Sequence, residues 1–378
     1  MRIAYVSLDP GIPVFGAKGA AVHVQAMTRA FLALGADVTI LSPRCEGGPP
    51  PGLDGVRLRP LPLPPDARGE DRLRALIALD DGIGAVLDRE GPFDLVYERH
   101  ALLSCGAMEW AAARSLPSVL EVNAPLIDEQ ARHRTMLLPD EAAARTGRAM
   151  RAARLVAAVT PPVADYCRAH GARAALHLPN AIDPGPLDLP RVPGRPFTVG
   201  FLGGLRPWHD LDTLLAAMEM LRPDHPDLHL LIVGDGPERA RLAPRLDALG
   251  AGITGLVPHH EVPGWLARMD VGVAPYSARQ EFYFSPLKLY EYMGARLPVI
   301  ASAVGDLPQI VADGETGLIC APDDPRVLAG AILRLARDPQ RAAAMGHAGH
   351  RHVTARHTWR GNAERVLRAI GLPSDRAA

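Results

Sequence analysis

The chain alternates between two hydrophobic rhythms. Short, densely apolar runs are separated by longer segments in which apolar residues recur at helical spacing. In the first half the short runs are IAYVSL (3–8), DVTILS (37–42), VRLRPL (56–61), DLVYE (94–98), SVLEVN (118–123) and RLVAAVT (154–160). Helical spacing predicts helices over 20–34, 70–89 and 102–114. Apolar strands joined through helices predict a parallel sheet covered on both faces.

The same grammar restarts at FTVGFLGG (197–204), with a helix expected over 210–221. LHLLIVGDGP (228–237), GITGLV (252–257), VGVAPY (271–276) and PVIASAV (298–304) continue it, with a helix opening near 285. Between the halves, LPNAIDPGPLDLPRVPGRP (178–196) is dense in Pro and Gly and reads as a connection. A closing helix is expected over 358–370. At 378 residues the chain exceeds one ordinary core. The expected division is a first domain over 1–180, a linker over 181–196, a second domain over 197–355, and a closing helix and tail over 356–378.

Composition narrows the class. With 48% hydrophobic residues and a net charge of −1, the chain reads as a globular protein without a bias toward nucleic acid. Cys45, Cys105, Cys167 and Cys320 stand far apart with no C-x-x-C, so neither a disulfide framework nor a zinc site is expected, and a reducing cytoplasm fits. The apolar start is too short for a signal peptide, and no stretch reaches the ~20 apolar residues of a membrane span.

Three glycine-bearing turns follow apolar strands. PGIPVFGAKGAAVHV (10–24) is neither a P-loop nor G-x-G-x-x-G. Its Gly16 and Gly19 would let backbone N–H groups approach an anion, or would simply form a strand-to-helix turn. FLGGLRPWHD (201–210) crowds Arg206, Trp208 and His209 at a helix start, where Arg suits a phosphate fork; a surface Arg beside a core Trp is the plainer alternative. In FSPLKLYEYMGARLPVIAS (284–302), Ser285 is an apt N-cap and Pro286 an apt first helical residue. That puts Lys288 at the third helical position, facing the positive end of the dipole at a cost of ~0.3–1 kcal/mol. A diphosphate would offset that cost. Glu291, one turn on, could then accept hydrogen bonds from ribose hydroxyls. A solvated Lys/Glu pair is the competing explanation.

GFLGGLRPWHDLDTLLAAM (200–218), LLIVGDGPER (230–239), VPHHEVPGWLARMDVGVAPY (257–276) and SPLKLYEYMGARLPVIASAVGDLPQIVADGETGLICAP (285–322) occur in order. At this spacing they resemble the donor half of family-4 retaining glycosyltransferases. KGAAVHVQAMTRAFLALGADVTILSP (18–43), YERHAL (97–102), LEVNAPLIDE (120–129) and LPNAID (178–183) extend the resemblance through the first half. It implies the α/β GT-B fold: two Rossmann-like, doubly wound domains facing across a central cleft, with a C-terminal helix closing back toward the first.

Carried over by position, the resemblance implies a donor diphosphate held by Gly16, Gly19, Arg206, Pro286, Leu287 and Lys288. It puts the ribose on Glu291 and the base at Val257 and Pro258. Arg206, His209 and Lys288 would stabilise the leaving diphosphate, and Asn123 would stand where many members carry a sugar-contacting histidine. The family's Arg and Lys after the glycine turn fall on Gly204 and His209; the first glutamate of its E-x7-E motif falls on Tyr283, with Glu281 nearby as a donor-sugar candidate. His23, Glu98 and His100 are acceptor-side candidates.

The implied function is retaining transfer of a sugar from a UDP- or GDP-sugar to an acceptor hydroxyl, without a metal or an obligatory cofactor. The acceptor would be a carbohydrate, a lipid-linked sugar or a small molecule. A nucleotide-sugar-binding protein with weak turnover, a GT-B sugar-nucleotide epimerase and a Rossmann oxidoreductase are the alternatives. Arg145, Arg148, Arg151 and Arg154, at i+3 spacing, read as a basic helix stripe, either a solvated face or a peripheral contact at the inner face of a membrane.

Overall fold

The structure, a computed structural model, describes residues 1–64, 68–133 and 135–373. The end of the proline patch at 61–66, Arg134 of the acceptor-side segment and the tail beyond 373 lie outside the described residues. The chain divides into two compact units. One comprises Met1–Asn180, Tyr283–Ser285 and the chain from Trp359 onward; the other comprises Ala181–Phe282 and Pro286–Thr358.

The first unit is built on a seven-stranded parallel sheet of β1 (Arg2–Ser7), β2 (Asp37–Ser42), β3 (Arg57–Pro60), β4 (Leu95–Arg99), β5 (Ser118–Val122), β6 (Leu155–Ala158) and β7 (Ala175–His177). The spatial order is β3-β2-β1-β4-β5-β6-β7, with Tyr5 opposite both Ile40 and Tyr97. Ala4, Val6, Val96, Leu120, Val122 and Val156 are fully buried, as strands covered on both faces must be. The three-residue edge strand β7 carried too little pattern to be expected.

Two expected helices differ. The 70–89 segment is two helices, Gly69–Asp81 and Ile83–Glu90, meeting at Gly82. The 102–114 segment is helical only from Gly106 to Ala113. The same residue sits at both departures. Asp80 turns inward at the end of the first helix and accepts the backbone N–H groups of Cys105 (2.9 Å) and Gly106 (3.0 Å), which fixes where the later helix begins.

The final helix, Trp359–Ala369, completes this unit. Trp359 is buried with its ring edge-on to His23 at 4.7 Å, and Asn362 donates to the Pro179 carbonyl at 2.8 Å.

The arginine stripe is broken at its first member. Arg145 is 4% exposed and pairs with Asp80 (2.9 Å), Asp81 (2.7 Å) and Glu141 (2.7 Å). Arg148 is held by both oxygens of Glu109, and Arg154 lies past the end of its helix, Pro139–Ala152. Arg145 alone is drawn inside; Arg148, paired at the surface with Glu109, and Arg151 and Arg154 stay exposed, and nothing in that arrangement supports membrane contact.

The second unit carries a six-stranded parallel sheet: β8 (Thr198–Leu202), β9 (His229–Val233), β10 (Gly252–Ile253), β11 (Val271–Ala274), β12 (Val299–Ser302) and β13 (Gly317–Cys320). Their order is β10-β9-β8-β11-β12-β13. The helix Leu287–Gly294 connects β11 to β12. Tyr292 on this helix packs where Gly272 of β11 lacks a side chain; a Cβ there would come within 2.4 Å of the ring. The Tyr292 hydroxyl accepts the Leu202 N–H (2.6 Å) and donates to the Val273 carbonyl (3.3 Å), pinning the helix to β8 and β11.

In each sheet the strand order reverses once, beside β1 in the first and beside β8 in the second. Such switch points open at the carboxyl ends of the strands, where doubly wound sheets bind ligands. All four cysteines are unpaired. No helix among the described residues is long and apolar enough to cross a membrane.

Candidate functional site

In the second unit the switch point gathers five of the sequence candidates. The helix Leu287–Gly294 starts one residue later than expected: Pro286 is its N-cap, without a side-chain cap, and Lys288 is its second residue. Ser285 does not cap it. Its hydroxyl instead accepts the Asn180 N–H (3.0 Å), and its carbonyl accepts the Asn180 amide (2.6 Å), within the first unit. The helix end therefore keeps its free N–H groups, the condition for an anion site.

Lys288 is 6% exposed. Its ammonium lies 4.1 Å from the centre of the Phe201 ring and 5.3 Å from that of Tyr276, and it makes no hydrogen bond. Burial pushes its pKa well below the ordinary value, with Glu291 opposing the shift. The amine is directed at the turn that leaves β8. Gly203 there has φ +137°, and a Cβ on it would sit 3.2 Å from Nζ, so glycine is needed for both backbone and approach.

His209 closes the same turn by donating from Nδ1 to the Gly204 carbonyl. Burial, with Lys288 and Arg206 adding to it, lowers its pKa to about 2. The ring is thus neutral in the free protein and presents a bare Nε2, a hydrogen-bond acceptor rather than a second cation. Arg206 is exposed, 5.7 Å from the Trp208 ring centre, and forms no ion pair among the described residues. Two basic side chains, one buried and one exposed, thus accompany the glycine turn.

Glu291 is 6% exposed and accepts from His259 Nε2 at 2.8 Å. Val257 is half-buried and Pro258 exposed, and both run directly into the turn His259–Glu261. The stretch proposed for the base is therefore tied to the residue proposed for the ribose. Sequence reasoning missed His259; VPHHEV offered two adjacent histidines and no pattern to choose between them. Glu281, in the same unit, is exposed.

The first unit assembles a second group at its own switch point. Gly16 is held in its turn by the Pro13 carbonyl, and Gln25 donates to the carbonyls of Val14 and Gly16. Gly19 is exposed, opens the helix Gly19–Ala33, and has nothing within 4 Å of where a Cβ would stand. Asn123, directly after β5, donates its amide to Glu121.

Glu121 is the unforeseen centre of this group. It is 1% exposed and takes Arg99, Tyr97 and Asn123 as donors, with His23 Nε2 at 2.9 Å. Burial alone would raise its carboxyl, but His23, Arg99 and Tyr97 outweigh it and hold the pKa well below the ordinary range. A charge in the middle of a strand buried on both faces was the available signal.

His23 also reaches Asn180 at 2.9 Å, so both ring nitrogens are engaged inside the fold. Glu98 and His100 are buried as well. Burial lifts Glu98 to about 8, with Asp80 adding to it, and lowers His100 to about 4. Tyr283 belongs to this unit: its carbonyl accepts the Thr160 hydroxyl (2.7 Å), and its ring packs on the first core.

Comparison with known proteins settles the family. Residues 196–338 match the profile described as "Glycosyl transferases group 1", and residues 18–181 match "Glycosyl transferase 4-like domain". The chain belongs to the family-4 glycosyltransferases. Among curated relatives, it is 33% identical over 212 residues to a lipopolysaccharide core biosynthesis mannosyltransferase, LpcC, of Rhizobium leguminosarum. It is 32% identical over 224 residues to a GDP-mannose-dependent alpha-(1-6)-phosphatidylinositol monomannoside mannosyltransferase of Mycolicibacterium smegmatis. These matches cover 53% and 54% of this chain but only 57% and 58% of the relatives.

Among solved structures, Anabaena Alr3699/HepE in complex with UDP-glucose aligns with a TM-score of 0.72 over 98% of this chain and 99% of that one, at 17% identity. That likeness concerns the fold. With the two parallel sheets described above, it places the chain in the two-domain, Rossmann-like GT-B class.

Proposed function

We propose that this chain transfers a sugar from a nucleoside diphosphate sugar to an acceptor hydroxyl, with retention at the anomeric carbon and without a metal. The observation that carries the proposal is Lys288: a buried amine with no hydrogen-bond partner, on a helix start with uncapped N–H groups, aimed at a glycine turn. Leaving a charge so placed unsatisfied is costly unless a ligand supplies the counter-charge.

A diphosphate fits that demand. As the sugar–oxygen bond breaks, negative charge grows on the departing diphosphate. Lys288, Arg206 and the N–H groups at Leu287 and Lys288 form a preorganised site for it. His209, neutral, offers Nε2 to a sugar hydroxyl. Glu291 accepts from the ribose, and Val257 and Pro258 line the base. For Gly16 and Gly19 a phosphate contact, and for Asn123 a contact with the reacting region, rest on the resemblance; Asn123 donates its amide nitrogen to Glu121, which leaves its carbonyl oxygen as an acceptor. Glu281 and Tyr283 remain the donor-sugar candidates.

The relatives named for mannosyl transfer support a nucleoside diphosphate sugar, with GDP-mannose the first donor to try. The UDP-glucose complex of the structural neighbour keeps UDP-sugars beside it. A carbohydrate or lipid-linked acceptor fits the same names. Calorimetry against UDP, GDP, ADP and their sugars tests the site. Micromolar binding of one nucleoside diphosphate, lost in Lys288→Met, is expected; no binding of any would overturn the proposal. Proton NMR of the product then reads the anomeric configuration, and an inverted product would overturn retention. The Gly204 and Tyr283 departures favour one second reading, a donor-binding protein with slow turnover. Binding without transfer to any of a broad acceptor panel would favour it.

A further inference from the structure

We infer that His259 is a positioning residue that locks Glu291 for ribose and joins base and ribose recognition into one rigid element; this rests on the proposed role of Glu291. The contact is specific. His259 Nε2 lies 2.8 Å from Oε1 of Glu291, and the carboxylate side chain is only 8% exposed while the imidazole is 41% exposed. Oε2 makes no hydrogen bond among the described residues. One oxygen is therefore clamped, and the other is left to accept from a ligand.

The clamp comes from a well-anchored loop. Gly234, at the end of β9, bridges to Gly255, and its N–H reaches the Thr254 hydroxyl at 3.3 Å; that hydroxyl donates to the Gly255 carbonyl at 2.8 Å. Gly255 sits at φ +72°, and the Glu261 N–H closes the next turn on the Pro258 carbonyl at 3.0 Å. Val257 and Pro258 lie between those two fixed points, with His259 next in the chain. A glutamate side chain free to rotate would have to be ordered when the nucleotide binds; one already fixed by an imidazole does not. The loop that meets the base thereby also sets the angle of the carboxylate that meets the sugar hydroxyls.

This arrangement makes a prediction that a merely structural histidine would not. Removing His259 should erode the preference for a ribose over a 2′-deoxyribose while leaving phosphate recognition alone. The experiment measures dissociation constants by calorimetry for UDP, GDP, their 2′-deoxy analogues and inorganic pyrophosphate. It compares the wild-type chain with His259→Ala, His259→Phe and His259→Gln. Wild type should prefer the ribonucleotide, and the ratio should shrink by about tenfold in His259→Ala and His259→Phe. His259→Gln, which keeps an N–H donor, should regain most of it, and pyrophosphate should bind all four proteins within about twofold.

A wild-type ratio that survives in His259→Ala and His259→Phe overturns the inference while leaving the diphosphate site standing. Equal loss of pyrophosphate and nucleotide in every variant makes His259 a folding residue and also overturns it. Failure of wild type to bind any nucleotide defeats the underlying reading of Glu291, and the inference falls with it.

Discussion

Arg145 and Lys288 are both cations withdrawn from solvent, yet their surroundings are opposite. Arg145, 4% exposed, is met by three carboxylates and helps Asp80 fix where a helix begins. Lys288, 6% exposed, meets two aromatic faces and no hydrogen-bond acceptor. A buried charge whose valence is filled by its own fold is part of the scaffold. One left open marks where the scaffold expects something else.

The largest effect that would sharpen this contrast is on stability. Arg145→Met should destabilise the chain by ~3–5 kcal/mol, because Asp80 would be left buried without its partner. Urea unfolding measures it, and a loss under ~1 kcal/mol would break the contrast. Lys288→Met should do the reverse without ligand, leaving stability unchanged or raised by ~1–2 kcal/mol, since no partner is stranded. Its cost should fall on binding, with nucleoside diphosphate affinity dropping about 100-fold, or ~2.7 kcal/mol.

The pH dependence has a definite sign. Because the folded-state pKa of Lys288 is depressed below the ordinary 10.5, the unfolded chain binds the extra proton in the window between the two values. Wild-type stability should therefore rise with pH across that window relative to Lys288→Met, closing the gap between them. A gap that does not change from neutral pH to about 10 would mean the amine is solvated after all. The smallest effect is expected for Glu291→Ala, about tenfold in nucleotide affinity with the unfolding midpoint nearly unchanged. Loss of the fold there would recast Glu291 as a structural partner of His259.

The sheets were legible because strands buried on both faces leave uninterrupted apolar runs. β7 and β13 escaped, whereas β3 and β10, edge strands just as short, were read within VRLRPL and GITGLV. The late start at Gly106 was not legible, since the side chain that fixes it, Asp80, arrives from elsewhere in the sequence. Lys288 stood out because a cation at a helix start is locally unfavourable, an anomaly visible in a few residues. Glu121 and His259 act through partners distant in the chain, so local pattern could not show what they hold. Arg145 left the arginine stripe for the same reason: Asp80 and Asp81 lie tens of residues from the helix that carries it.

The helix Trp359–Ala369 sets the order in which this chain can mature on the ribosome. Its Trp359 and Asn362 complete a unit whose other residues are nearly all translated by Asn180. At 5–20 residues per second, those closing contacts emerge roughly 10–40 s after the rest of that unit. Until then the surface around His23 stays uncovered, so a stop codon just before Trp359 should leave a product vulnerable to proteases, although every strand of both sheets has already been made.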